Sequence, residues 1–162
     1  PPAFKADLYG QGIRPAIDIS VSVSRVGRQT QNRLQNLLSQ FLRQILTEGA
    51  QLETISRFSG ELPTQTRNLL MRKQMIDELN KQEALTYIPI EVQVIASGLI
   101  FTTLFKDKNG FFLRKNKQKI IKFLTEEPKI KTFGKSLMGL KTLDQLISKL
   151  ELLVPKLRQI CA

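Results

Sequence analysis

Arg25 is the residue best placed to do chemistry in this 162-residue chain. It stands at the end of a segment, Ala16 to Ser24, in which Ile17, Ile19, Val21 and Val23 alternate with Asp18, Ser20, Ser22 and Ser24. A period of two predicts a strand with one apolar face. In open α/β sheets the carboxyl ends of strands border the ligand crevice, so an arginine fixed there can reach a phosphate. Its planar, permanently charged guanidinium suits the charge spread over a transferring phosphoryl group better than a compact ammonium does. The competing reading is an arginine that caps a strand end in solvent and does nothing catalytic.

Other chemistries are excluded by composition. The chain has no histidine and one cysteine, Cys161, so a Ser-His-Asp triad, a zinc site built on His or Cys and an internal disulfide are all unavailable. No G-x-x-x-x-G-K-[ST] loop is present, so the chain is not expected to make or hydrolyse ATP by itself. Twenty-five Lys and Arg against 14 Asp and Glu leave a formal charge of +11, which favours anionic partners without choosing among them. At 18.5 kDa, with 41% hydrophobic residues, the chain supplies one domain with a packed core. Its most apolar stretch, Ile88 to Phe105, is broken by Glu91, Gln93, Ser97, Thr102 and Thr103 and is a poor bilayer span. The start, Pro1 to Phe4, lacks an initiator Met and a signal peptide's basic and apolar regions, which points to a cut or split chain.

The elements that must carry Arg25 follow from periodicity. After Gly27, residues Leu34, Leu37, Leu38, Phe41, Leu42, Ile45 and Leu46 fall at helical offsets and predict a long amphipathic helix. A loop around Ser59, Gly60 and Pro63 leads to a second helix through Leu69, Leu70, Ile76 and Leu79, ending near residues 80–82. Pro89 is expected to open a third helix that runs to about Phe105. Asn109-Gly110 reads as a turn, and a last helix through Leu143, Ile147, Leu150, Val154 and Leu157 is interrupted by Pro155. The basic excess is C-terminal: residues 1–80 hold 10 basic and 7 acidic side chains, residues 81–162 hold 15 and 7. It concentrates between Lys106 and Lys122. The expected fold is mainly α: an edge strand within residues 1–27, a helical domain over 28–107 and a basic helical extension of it over 108–162.

The run Gly12-Ile13-Arg14-Pro15-Ala16-Ile17-Asp18, followed by Ser22-Val23-Ser24-Arg25-Val26-Gly27, resembles the GIRPAI…SVSRVG signature of the α subunit of F-type ATP synthases. Phe58-Ser59-Gly60-Glu61-Leu62, Leu69-Leu70, Glu78-Leu79-Asn80-Lys81-Gln82 and Ile90-Glu91-Val92-Gln93-Val94 resemble later segments of that family in the same register. The likeness covers about residues 7–107; beyond them it extends only to a helical tail. It implies that residues 1–27 hold the last strand of a P-loop nucleotide-binding domain and that a helical bundle follows. It further implies that Arg25, supported by Ser24, acts as an arginine finger in the catalytic site of an adjacent β subunit. Arg14, Pro15 and Gln82 match positions that hold the adenine of a noncatalytic nucleotide.

A second family glutamine is replaced by Ala84, which removes a potential hydrogen bond worth about 0.5–1.5 kcal/mol. The family's Asn-Gly within the segment matching Gly98 to Lys106 is also lost. The cofactors implied are ATP or ADP with Mg2+, held mainly by other chains. The partners implied are the N-terminal remainder of α, β subunits in a hexamer, the central rotor stalk and the peripheral stalk. Nucleic acid is not among them, and contact with the membrane is through the complex alone. The place implied is the matrix side of the mitochondrial inner membrane, or the equivalent face of a chloroplast or bacterial membrane. The Lys-, Asn-, Ile- and Phe-rich stretch after Lys106 resembles products of A+T-rich organellar genomes. From a different class, the same basic stretch would suit a helical RNA-binding module of an organellar ribosome.

Overall fold

The computed structural model describes residues 32–56, 61–81 and 88–162, and these are mainly helical. The strand expected at Ile17 to Val23 lies outside them. The two helices expected first are found: α1 spans Arg33–Ser56 and α2 spans Thr64–Asn80. In α1 the buried residues Leu34, Leu38, Ile45 and Gly49 repeat at intervals of four and seven, so one stripe faces inward. Gly49 lets α2 approach closely, since a Cβ there would lie 2.7 Å from Cδ of Lys73. Lys73 then spans the two helices, pairing with Glu53 at 3.1 Å and Asp77 at 2.7 Å.

The third helix, α3, spans Ile90–Leu99, so it stops six residues short of the expected Phe105. The reason is a competition for hydrogen bonds at its end. A continuing α-helix would take the Thr103 N–H to the carbonyl of Leu99. That carbonyl instead accepts from Thr102 N–H and, at 2.6 Å, from Thr102 Oγ1. Thr103 turns to the far end of the chain, giving its N–H and its hydroxyl to the two oxygens of Glu151 at 2.7 Å each. Arg158 donates to the Thr103 carbonyl at 3.3 Å. The backbone then folds back through Asp107, which takes a left-handed φ of 59°.

Asn109-Gly110 is a helix start in place of the expected turn. Asn109 caps α4 (Gly110–Glu126), its side-chain oxygen accepting from the N–H of Phe111 and Phe112 at 3.1 and 3.3 Å. A helix that periodicity did not single out, α5, spans Pro128–Leu137, with Pro128 in its first turn. The last expected helix is two. The first, α6 (Leu143–Leu150), passes through a 3-10 turn at Glu151–Leu153 into α7 (Val154–Cys161). Pro155 sits in the first turn of α7, where its missing N–H costs nothing.

All seven helices of the described residues contribute to one core. Leu34, Met75, Ile95, Leu99, Leu124, Leu137, Leu146, Leu150 and Leu157 are each at most 1% exposed. The largest meetings are α2 with α4 and α1 with α2, while α3 packs against α5 and α6. Gly98 makes the α3–α6 crossing possible, because a Cβ there would lie 2.5 Å from Leu150 Cδ1. Among the described residues no helix is long and apolar enough to cross a membrane.

Candidate functional site

Arg14, Pro15, Ser24, Arg25 and Gln82, together with the substituting Ala84, lie outside the described residues. The structure shows instead the two helix ends next to them in sequence: the start of α1, eight residues after Arg25, and the end of α2, where Lys81 immediately precedes Gln82.

The start of α1 is closed by a reciprocal cap. Asn32 N–H donates to Gln35 Oε1 at 2.9 Å, and Gln35 N–H donates to Asn32 Oδ1 at 2.8 Å. Two of the unpaired donors of a helix N-terminus are satisfied in this way. The remaining amide donors of both side chains point to one sulfur, Met138 Sδ, at 3.2 Å from Asn32 Nδ2 and 3.9 Å from Gln35 Nε2. The chain is therefore pinned at residue 32 to the end of α5.

The end of α2 is held by α4. Glu78 is 8% exposed, and its Oε2 accepts from Lys81 Nζ and from Arg114 Nη2 at 3.1 Å each. Lys117 Nζ donates to the Glu78 carbonyl at 2.8 Å and to the Lys81 carbonyl. Those carbonyls are acceptors that a helix end leaves unpaired, and a cation there also complements the helix dipole. Burial of Glu78 opposes its ionisation, yet the hydrogen bonds from Arg114 and Lys81 prevail and hold its carboxyl below the ordinary 4.5. At the preceding residue of α2, burial pushes Asp77 upward against the hydrogen bond from Lys73.

Because the Glu78 carboxyl titrates lower in the folded chain, its contribution is complete above pH 4.5 and fades as pH falls through the depressed value. Replacing Glu78 with Gln is expected to destabilise the chain by about 1–2 kcal/mol at pH 7, an amount discounted because Arg114 is largely exposed. Urea unfolding of both proteins at several pH values checks this: their difference should shrink below pH 4.5. A difference that grows in acid would contradict the assignment.

The described residues also hold an open cleft of about 310 Å³ between α2 and the 100–108 turn, bordered by Arg72, Thr103, Lys106 and Glu151. Two of its charged groups are engaged: Glu151 by Thr103, and Arg72 over the Phe101 ring at 5.7 Å from its centroid. Among the described residues no group of three His, Cys, Asp or Glu side chains is placed to hold a metal. The Glu78–Lys81–Arg114–Lys117 network was not singled out by sequence reasoning. Glu78 three residues before Lys81 is a visible pair, but nothing in the sequence shows that α4 lies across the end of α2. No protein-family model matches the chain.

Proposed function

We propose that this chain is a C-terminal segment of the α subunit of a proton-driven rotary ATP synthase and that it supplies Arg25 in trans to the catalytic site of an adjacent β subunit. The observation that carries the reading is the nearly uninterrupted run from Gly12 to Asp18 and Ser22 to Gly27. In the family that this run resembles, the matching arginine acts as a finger, and Arg25 takes that role here. The guanidinium meets charge developing on a phosphoryl group, while the nucleotide and its Mg2+ are held by other chains.

The mainly helical build of the described residues supports the reading at the level of architecture. The P-loop belongs to the remainder of α, whose sheet is expected to pair with the Ile17 to Val23 segment, since a lone strand has nowhere to bury its apolar face. Arg14, Pro15 and Gln82 contribute to a noncatalytic adenine site that Ala84 weakens. The Lys117 bonds at the end of α2 fix the backbone of the residue before Gln82.

Purification of the native assembly through a tag on this chain tests the proposal. Intact-mass analysis is expected to find a polypeptide bearing a G-x-x-x-x-G-K-[ST] loop together with a β subunit. Recovery of the chain as a monomer, or with ribosomal proteins, would refute it.

A further inference from the structure

The part of the basic run that lies in α4 is divided by the fold into two sets. Arg114 and Lys117 turn toward α2 and are consumed by Glu78 and the carbonyls at the helix end. Lys115, Lys119 and Lys122 are exposed and form no ion pair among the described residues. At 100° per residue these three and Phe111 fall within an arc of about 80°, along about 16 Å of helix. Phe111 is 70% exposed, an unusual place for a phenylalanine at the head of a lysine stripe. Glu126, the only acid of α4, stands at the far end.

We propose that this face of α4 docks an acidic amphipathic helix of another polypeptide, with carboxylates three and four residues apart against the lysines and an apolar side chain against Phe111. The spacing is the reason: residues at i, i+4 and i+7 on one helix meet carboxylates at the same rises on another. Burying Phe111 supplies the apolar anchor that a purely charged surface lacks. A bilayer is a poorer fit, because an interfacial helix inserts an apolar face and that of α4, with Leu113, Ile120 and Leu124, is spent on the core. A nucleic acid is also a poorer fit. The free cations of the stripe are all lysines, the one arginine of α4 is taken by Glu78, and a single aromatic offers little stacking.

The test is zero-length carbodiimide cross-linking of the native assembly, purified through this chain and read by mass spectrometry. Lys115, Lys119 and Lys122 are expected to be joined to Asp or Glu residues three or four apart on one segment of another polypeptide. The K115Q/K119Q/K122Q variant should then retain that polypeptide at least tenfold less well in about 0.3 M salt, with its own thermal midpoint unchanged. Lys119→Glu should lose the contact, and a Lys in place of the linked carboxylate should restore it. Absence of inter-chain links from all three lysines would overturn the proposal. So would full retention of the partner by the triple variant, or cross-linking of the stripe to RNA under ultraviolet light. Arg25 lies on a separate stretch of the chain, so turnover of the same variant distinguishes failure here from failure of the ATP synthase reading.

Discussion

Arg25→Lys in the assembled complex is expected to cut multisite turnover by about 10³ or more while leaving nucleotide affinity within roughly tenfold. The asymmetry follows from what a finger does. Nucleotide is bound mainly by the chain that carries the phosphate loop, so a single trans contact adds little to ground-state binding. Charge on the equatorial oxygens is reorganised in the transition state, and there a planar fork of donors is worth several kcal/mol that a point charge cannot replace. Lysine keeps the net charge, so a pure field effect would survive the substitution. Turnover and nucleotide binding measured side by side separate the two, and near-normal turnover would return Arg25 to a solvated strand end.

The largest expected effect on stability is in the core. Leu150 is fully buried and lies against Gly98 where α3 crosses α6. Truncating it to Ala leaves a cavity that the close-packed surroundings fill only in part, at a cost of about 2–5 kcal/mol. Gly98→Ala alone should also destabilise, by about 1–3 kcal/mol, because the new methyl would meet Leu150 Cδ1 at 2.5 Å. Together the two should cost less than their sum, since removing Leu150 Cδ1 vacates the space the methyl needs. Urea unfolding of the two single variants and the double variant measures the coupling. Strict additivity would show that the crossing is looser than the structure has it.

Local periodicity was enough for α1 and α2, because an apolar stripe and a Pro or polar boundary are properties of neighbouring residues. It failed where a distant residue decides. The end of α3 at Leu99 depends on Glu151 capturing the Thr103 N–H, and no window around Phe105 contains that information. Asn109 shows a different ambiguity. The same Asn-Gly pair suits a tight turn and a helix cap, and only the side-chain bonds to Phe111 and Phe112 choose between them. In α5 the stripe of Ile130, Phe133 and Leu137 is short and set amid lysines, so its periodicity alone does not mark a helix. As for the candidate site, Arg25 and the alternating segment before it raise the expectation of phosphoryl chemistry from sequence alone, and those residues fall outside the described parts of the chain. The α2–α4 network next to Gln82 emerged only from the fold, since Glu78 and Arg114 are 36 residues apart.

The central claim concerns where the Arg25 guanidinium goes, and one measurement addresses it directly: an experimental density map of the native assembly with a nonhydrolysable ATP analogue bound. The account predicts the guanidinium within hydrogen-bonding distance, about 3 Å, of the γ-phosphate of a nucleotide whose phosphate loop belongs to a neighbouring β subunit. An Arg25 side chain standing in solvent, with every γ-phosphate contact supplied by other residues, would contradict it.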